Sequence, residues 1–268
     1  MTDKARQIFE CDKCGGVFLP PFGSIDSYYE SHAYRQDYDG GDSDADFFRQ
    51  HDGEQLKNLA FVGTQELRGS VLCDVGCGAG SFLDLTNGYV DRTIAIEPDE
   101  IYRESLHRRG HEAFAYVADA LPAMQDQADI VTMFSVIEHV EDPLKLLEET
   151  IGIIKPGGRL VLSTPNLDDL LLTALGDVYA EFYYRQVHLW YFSSTALANL
   201  LKKVGFEDVR VECYQRFGLS NFMHWLRDSK PRGDDSFPGI TESLDALWRQ
   251  QMAQSGRGDY LVAHARRS

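Results

Sequence analysis

A glycine-rich segment and an acidic residue that follows it are best suited, by residue type and spacing, to bind a cofactor. Residues 74–80 read DVGCGAG, and Glu97 comes 21 residues after Gly76. Glycine at positions 76, 78 and 80 lets the backbone turn sharply and approach a ligand without interference from a Cβ atom. A carboxylate at the end of the next predicted strand can accept hydrogen bonds from both hydroxyls of a ribose. The pattern therefore indicates a nucleoside-containing cofactor.

The spacing of the glycines separates two kinds of nucleoside cofactor. The order Gly76-x-Gly78-x-Gly80 differs from the Gly-x-Gly-x-x-Gly fingerprint of dinucleotide sites. This spacing, with Asp74 two residues before the first glycine, disfavours a nicotinamide-dependent oxidoreductase. Asp119 ends the third predicted strand, where its carboxylate can reach the exocyclic amine of an adenine. The alternative for all these residues is a tight strand–helix turn with solvated acids.

Five segments carry a resemblance to a known family. They read VLCDVGCGAGSFL, IAIEPDE, VADALP, ADIVTMFSVIEHVEDP and IIKPGGRLVLSTPN. Over roughly residues 55–212 the chain resembles the class I S-adenosylmethionine-dependent methyltransferases. The resemblance implies that S-adenosylmethionine donates the methyl group and that S-adenosylhomocysteine is the product.

The resemblance also implies which side chains contact the cofactor. In the glycine loop, Asp74 and Gly76 would lie beside the methionine portion, with Gly78 and Gly80 in the same loop and Cys77 as a small filler. At the ends of the next two strands, Glu97 and Pro98 would contact the ribose, and Asp119 and Ala120 the adenine. Phe134 and Ser135 would form the floor of the cleft. We expect no reactive role for Cys77.

The candidates for a catalytic base are two histidines and a glutamate. Methyl transfer from a sulfonium is an in-line displacement, and a hydroxyl acceptor must also lose its proton, which a positioned base accelerates by roughly 10²–10⁴-fold. His139, just past the fourth predicted strand, is the first candidate because histidine titrates near neutrality. His188 is the second candidate and Glu138 the third. The alternative for each is a packed, structural residue.

A cysteine pair near the N-terminus is the one candidate for a metal site. Cys11 and Cys14 form a Cys-x-x-Cys-Gly segment typical of zinc knuckles. A structural zinc requires four ligands, and neither a second such pair nor a suitably spaced histidine pair is present, since His32 and His51 lie too far apart. The segment resembles the latter half of a cysteine ribbon that precedes some methyltransferases of surface-polysaccharide and deoxysugar pathways. We expect a turn without metal, with a zinc site as the alternative.

Alternating strand-like and helix-like segments must position these residues. Short apolar runs predict strands at residues 71–76, 93–98, 113–119, 128–137 and 159–165, with helices at 99–110 and 141–158. Such alternation implies right-handed crossovers and a parallel sheet. Strands at 207–216 and 258–267 are expected to form an antiparallel edge, joined by a long connection rather than a compact helix. The expected fold is α/β, Rossmann-like, with a doubly wound and mostly parallel sheet of seven strands.

The chain divides by composition into an N-terminal segment and a methyltransferase domain. Residues 1–53 hold the cysteine pair and, between Arg35 and Glu54, an acidic stretch that predicts a solvated loop; the tyrosine-rich SYYESHAY before it is a candidate lid. Residues 54–268 form the methyltransferase domain, in which an aromatic insertion at about 167–192 either lines the acceptor pocket or packs on the core. Residues 213–268 close the fold. Four residues there either bind the acceptor or pack the connection: Arg216, Asn221, His224 and Trp225.

Composition limits the partners. The net charge of −16, from 26 basic and 42 acidic residues among 268, disfavours nucleic-acid or anionic-lipid binding. The chain has no run of about 18 apolar residues and no signal-like N-terminus, so we expect a cytoplasmic protein with no membrane segment. Its five cysteines, an odd number, do not suggest a disulfide framework. A monomer or a homodimer is expected.

These observations combine into one functional hypothesis. We expect an S-adenosylmethionine-dependent methyltransferase that acts on a hydroxyl of a small molecule. The segment at residues 214–231 resembles the tails of methyltransferases associated with carbohydrate gene clusters, which favours a sugar-containing acceptor. The alternatives are a non-catalytic interaction module with this fold and, third, a nicotinamide-dependent oxidoreductase.

Overall fold

The computed structural model describes residues 7–12, 15–21, 23–31, 34 and 43–268. The strands in this part of the chain are β1 (Phe9–Glu10), β2 (Val17–Phe18), β3 (Val71–Val75), β4 (Arg92–Ile96), β5 (Glu112–Phe114), β6 (Ala128–Phe134), β7 (Ile154–Pro165), β8 (Trp190–Tyr191), β9 (Phe206–Tyr214) and β10 (Tyr260–Arg267). The helices are α1 (Ile25–Glu30), α2 (Asp44–Val62), α3 (Thr64–Leu67), α4 (Ser81–Thr86), α5 (Glu100–Arg108), α6 (Val117–Met124), α7 (Pro143–Ile153), α8 (Leu170–Leu175), α9 (Asp177–Tyr183), α10 (Ser194–Val204), α11 (Leu219–Asp228) and α12 (Glu242–Gln254).

A seven-stranded sheet with the order β5-β4-β3-β6-β7-β10-β9 forms the centre of the fold. The pairs from β5 to β7 are parallel, and β10 is antiparallel to both of its neighbours. Both faces of the sheet are buried: Leu72 packs in one apolar cluster, while its neighbour Cys73 packs in the other. The structure therefore confirms the expected Rossmann-like sheet with its antiparallel edge.

Three strands have an end that differs from the prediction by more than two residues. β5 ends at Phe114 rather than continuing to 119, because Asp119 accepts a hydrogen bond from the backbone N–H of Tyr116 and starts helix α6. β6 ends at Phe134 because Ser135 takes a left-handed backbone conformation with φ +55°. β7 begins earlier than expected, at Ile154.

The acidic stretch forms a helix rather than a loop from residue 44 onward, so that part of the prediction was wrong. Ser43 caps α2 by accepting a hydrogen bond from the backbone N–H of Asp46, and Asp44 and Asp46 lie in the first turn. Acidic side chains there are stabilised by the positive end of the helix dipole. Helix α2 also runs across the expected boundary between residues 53 and 54, while residues 35–42 lie outside the described part of the chain.

The connection between β9 and β10 contains two helices, which the sequence analysis did not expect. Thr241 caps α12 by accepting from the backbone N–H of Leu244. Asp245 then accepts hydrogen bonds from the backbone N–H and the hydroxyl of Ser220, at 2.7 and 2.9 Å, and so ties α12 to α11. The connection is therefore a packed layer beside the sheet edge.

The N-terminal segment docks on the aromatic insertion. β1 and β2 form a hairpin, and β2 pairs antiparallel with β8, so the three make a small second sheet. Cys11 lies in the hairpin turn, whereas Cys14 and His32 lie outside the described residues. Among the helices the structure describes, none has the length and apolar character to cross a membrane.

Candidate active site

A cavity of about 480 Å³ opens at the carboxyl ends of β3, β4 and β6. Ligands of open α/β sheets bind at this edge. Seven of the predicted cofactor residues line the cavity: Asp74, Gly76, Cys77, Glu97, Pro98, Phe134 and Ser135. All three candidates for the base line it as well: Glu138, His139 and His188.

The glycine loop at residues 76–80 has no room for side chains at its critical points. Gly76 has φ +70°, and its backbone N–H donates to the carbonyl of Ile96 at 2.8 Å. A Cβ atom there would lie 2.3 Å from Cγ2 of Val136. Gly80 has φ +89°, and a Cβ atom there would lie 2.5 Å from Cδ2 of Leu106. Steric exclusion and backbone conformation thus both require glycine.

We expect Gly76→Ala to destabilise the fold by about 1–3 kcal/mol for the left-handed backbone alone, plus a further cost for the clash with Val136. Gly157→Ala is the matched control, because Gly157 has φ +78° and nothing within 4 Å of its added Cβ. Thermal unfolding should show Gly76→Ala as the more destabilised variant, with partial recovery when Val136→Ala is added. Equal losses in the two single variants would contradict a steric clash between the added Cβ and Val136.

Glu97 joins the glycine loop to the end of β4. Its side chain is 2% exposed, Oε2 accepts from the backbone N–H of Gly78 at 2.8 Å, and Oε1 accepts from that of Asp99 at 3.1 Å. Glu97 also lines the cavity, and a carboxylate can accept about four hydrogen bonds. Glu97 therefore holds the loop at the cavity wall, where a carboxylate is suited to accept from the hydroxyls of a ligand.

Asp74 is the second buried acid of the cavity. Its Oδ1 accepts from the hydroxyl of Thr132 at 2.6 Å. Burial raises the pKa of Asp74 to about 7, and the nearby Glu97 carboxylate raises it further while the Thr132 hydrogen bond lowers it. A cationic ligand group beside Asp74 would favour its ionised form.

The structure does not bring Asp119 and Ala120 to the cavity. Asp119 is exposed on α6 and caps that helix through the backbone N–H of Tyr116. Ala115 and Tyr116, which directly follow β5, line the cavity instead. The contact of Asp119 and Ala120 with an adenine stays a prediction. Gly78 and Gly80 shape the loop without lining the cavity.

His139 is held by two contacts on one ring nitrogen. Its Nδ1 lies 3.0 Å from the carbonyl oxygen of Val187 and 2.7 Å from the hydroxyl of Tyr29. A carbonyl only accepts, so the Val187 hydrogen bond requires a proton on Nδ1 and leaves the lone pair of a neutral ring on Nε2. The sequence placed the tyrosine-rich segment near the cofactor, but no local pattern could join Tyr29 to a residue 110 positions away.

Glu138 and His188 complete a buried polar cluster with His139. Glu138 is fully buried, its Oε2 accepts from the Thr164 hydroxyl at 3.0 Å, and burial raises its pKa to about 8. The His188 ring lies perpendicular to that of His139 with centroids 4.6 Å apart. Burial, and next the neighbouring His139, hold the pKa of His188 well below its usual value. His188 is therefore a neutral imidazole at pH 7.

These three side chains are also the one group in the described part of the chain with the spacing of a metal site. One ligand atom from each of Glu138, His139 and His188 lies within 4.8 Å of the others. Imidazole nitrogen and carboxylate oxygen are donors that zinc accepts. The absence of a metal from this protein stays a prediction.

Two residues without a role in the sequence analysis, Asp259 and Tyr260, complete the cavity wall together with Arg216. The hydroxyl of Tyr260 pairs with that of Ser135 at 2.7 Å. The guanidinium of Arg216 lies over the Tyr260 ring at 3.8 Å and bonds to Asp259. Nothing in the sequence pattern singled out Asp259, because it precedes a strand that is recognised by its apolar residues.

The aromatic insertion both lines the cavity and packs on the core. Tyr179, Phe182 and Tyr183 face the cavity, whereas Tyr191 and Phe192 are buried in apolar clusters. Three of the tail residues are also buried: Asn221, His224 and Trp225. Of the four tail residues considered as acceptor contacts, Arg216 is the one that lines the main cavity.

Comparison with known proteins decides the family. A family profile described as a methyltransferase domain matches residues 47–211. The chain belongs to the class I S-adenosylmethionine-dependent methyltransferases. The match begins inside helix α2, and the division of the chain at residues 53 and 54 stays a prediction.

The names of two relatives of this methyltransferase specify different acceptors. The ubiquinone biosynthesis O-methyltransferase of Ruegeria pomeroyi is 30% identical over 220 residues, covering 78% of this chain and 84% of the relative. The tRNA U34 carboxymethyltransferase of Idiomarina loihiensis is 27% identical over 161 residues, covering 54% of this chain and 48% of the relative. The chain thus spans about half the length of the tRNA-modifying relatives it matches.

A solved structure supports the same fold. A possible histamine N-methyltransferase from Thermotoga maritima superposes with a TM-score of 0.58 at 20% identity, covering 91% of this chain and all of the other. At 20% identity, this structural similarity establishes only the fold, that is, the sheet and its helices. The similarity of fold does not identify the acceptor, which depends on the residues that line the cavity of this methyltransferase.

Proposed function

We propose that this methyltransferase transfers a methyl group from S-adenosylmethionine to an oxygen of a small-molecule acceptor, with His139 as the base. The observation that carries the proposal is the shared cavity. The glycine loop and Glu97 line it, and so does the fixed imidazole of His139. One cavity thus holds residues suited to both partners of the transfer.

The residues of the loop side fit the donor. S-adenosylmethionine supplies, when bound, a methyl group on a positively charged sulfur that leaves as a neutral thioether. The side-chain-free backbone at Gly76 provides the close approach, and Glu97 provides acceptors for ribose hydroxyls. Asp74, with its pKa near 7, suits a neighbouring cationic group such as the amino group of the methionine portion. Ala115 and Tyr116 stand where the adenine would be framed.

The residues of the other side fit removal of a proton from a hydroxyl. With Nδ1–H donating to Val187, His139 presents the Nε2 lone pair, which takes the proton as the oxygen–carbon bond forms and the sulfur–carbon bond breaks. Nε2 lies 4.0 Å from Oε1 of Glu138, and an imidazolium formed there would favour the ionised form of this carboxyl, whose pKa burial raises to about 8. His188 is less suited to be the base because its lowered pKa makes it a weak proton acceptor.

A small molecule fits the cavity better than a nucleic acid does. The chain carries a net charge of −16, which repels a phosphate backbone. Tyr29 and Tyr34 from the N-terminal segment and Tyr179 and Phe182 from the insertion enclose the cavity from both sides. Aromatic walls exclude water and stack on ring or sugar faces. A hydroxylated ring compound or a glycosylated metabolite is therefore the favoured acceptor.

The proposal is tested by calorimetric titration followed by an acceptor screen. S-adenosylmethionine and S-adenosylhomocysteine are expected to bind at micromolar concentrations, and NAD is not. Transfer from S-adenosylmethionine carrying a deuterated methyl group should then give an O-linked product by mass spectrometry and NMR. Failure of both sulfur compounds to bind at millimolar concentration would overturn the donor assignment. An N- or C-linked product would overturn the oxygen assignment alone.

A further inference from the structure

A second cavity lies beside the main one, and the wall that the two share contains two arginines. The second cavity measures about 190 Å³ and is lined partly by residues of the β9–β10 connection. Arg185, Arg216 and Asp259 line both cavities. A ligand in the main cavity can therefore contact both arginines.

Arg216 is fixed with one edge of its guanidinium turned away from its partner. Its Nε donates to Oδ2 of Asp259 at 2.7 Å, and its backbone N–H donates to Oδ1 at 2.9 Å. Stacking on the Tyr260 ring at 3.8 Å holds the plane of the group. Neither Nη atom has a hydrogen-bond partner among the described residues, and the side chain is 33% exposed. A rigid guanidinium edge of this kind binds an oxyanion through two parallel hydrogen bonds.

The two arginines differ in their ion pairs. Asp259 pairs with Arg216, whereas Arg185 lies over the Phe182 ring at 4.9 Å and has no ion pair within the described part of the chain. Asp169 also lines the second cavity, but its carboxylate is occupied by the Leu171 backbone N–H at 2.9 Å and the Tyr179 hydroxyl at 2.7 Å. Glu54 and Glu138 line the main cavity and interact with Arg216 electrostatically, without forming an ion pair with it. Arg185 is thus the guanidinium of the two that has no carboxylate paired with it.

We propose that Arg216 and Arg185 bind a singly charged oxyanion of the methyl acceptor, a carboxylate or a phosphodiester. The inference rests on the proposed function and narrows its acceptor class. The path from Arg216 to the base is continuous, because Arg216 stacks on Tyr260, whose hydroxyl bonds to Ser135 near the Glu138–His139 pair. The arginines hold the anionic end of the acceptor while its hydroxyl lies near His139.

The experiment compares matched acceptors on protein already shown to bind S-adenosylhomocysteine. The probes are 3,4-dihydroxybenzoate against 3,4-dihydroxybenzamide for the carboxylate, and glucosyl methyl phosphate against methyl glucoside for the phosphodiester. Methyl transfer and calorimetric binding are measured for each. We expect the anionic member of at least one pair to bind and to be methylated with a KM at least tenfold lower than that of its neutral counterpart. The pair that responds identifies which oxyanion is used.

Variants test whether the arginines cause the preference. Arg185→Gln changes an exposed side chain and should raise KM for the anionic acceptor roughly 10-fold, and Arg216→Met roughly 10–100-fold, each with kcat little changed. Arg216→Lys should restore part of the loss. Arg210→Met, on the exposed part of the same strand β9, is the control and should change nothing. Arg185→Gln keeps the test valid if Arg216→Met fails to fold.

Three outcomes would overturn the inference. They are absence of binding by every anionic probe to protein that binds S-adenosylhomocysteine, equal KM for charged and neutral members, and an anion preference that survives both Arg185→Gln and Arg216→Met. Failure to bind S-adenosylhomocysteine itself would instead contradict the proposed function, so the two failures are distinguishable.

Discussion

His139→Ala should lower kcat by roughly 10²–10⁴-fold, because a positioned base contributes about that factor to proton removal. The Kd for S-adenosylhomocysteine should change by less than about twofold, since the ring is fixed by Val187 and Tyr29 on the acceptor side of the cavity. Turnover is measured as S-adenosylhomocysteine release with the acceptor found in the screen. Added imidazole should restore part of the lost rate.

Two further variants distinguish the role of His139 as the base from the effects of other residues. His107→Ala removes an exposed histidine on α5 and should leave kcat unchanged. Tyr29→Phe removes the contact at 2.7 Å but keeps the Val187 hydrogen bond, so its loss of kcat should be smaller than that of His139→Ala. Turnover that persists in His139→Ala would remove this histidine as the base and shift the role to Glu138.

Glu97→Gln should weaken S-adenosylmethionine binding by about 1–3 kcal/mol, or roughly 10–100-fold in Kd, without a comparable loss of kcat at saturation. The substitution replaces one acceptor oxygen by an NH₂ group that faces a backbone N–H of Gly78 or Asp99. It therefore removes a hydrogen bond to the loop as well as the charge. Calorimetric titration gives the Kd directly.

The control for Glu97→Gln is Glu100→Gln. Glu100 is an exposed acid in the first turn of α5, and its substitution changes the net charge by the same amount. Its Kd should match that of the unaltered protein. Equal affinities in Glu97→Gln and Glu100→Gln would show that the carboxylate of Glu97 contributes nothing specific to the donor site. Thermal unfolding of Glu97→Gln checks that the loop still folds.

The central sheet could be predicted because its signals are local. β3 is an apolar run that ends at glycine, and β4 ends one residue before the Glu97–Pro98 pair, so the carboxyl ends of both strands could be placed in one edge. That placement brings Asp74, Gly76 and Glu97 to one cavity. Parallel strands make such an inference safe, since residues that follow neighbouring strands meet at the same edge.

Asp119 shows where the same reasoning fails. The apolar pattern continues through residues 113–117, but a three-residue strand satisfies the sheet, and the Ala-rich VADALPAM favours helix. A capping hydrogen bond of 3.1 Å from Tyr116 to Asp119 decides between the two. Because the local sequence favours helix, Asp119 lies on the surface of α6 rather than at the end of β5.

The acceptor side could not be predicted because it is assembled from distant parts of the chain. The Tyr29–His139 contact spans 110 positions and the Ser135–Tyr260 contact spans 125. A single sequence carries no signal that pairs such residues. Arg216 could be named as a candidate, but Asp259, which orients it, could not.

The position of β10 between β7 and β9 fixes the order in which the two halves of the site can mature during synthesis on the ribosome. β9 emerges before its partner exists, so it stays off the sheet until the last strand arrives. Asp259 and Tyr260 arrive at the same moment and only then orient Arg216. A nascent chain therefore acquires the donor loop before the acceptor wall, which forms only after β10 has left the ribosome and joined the sheet.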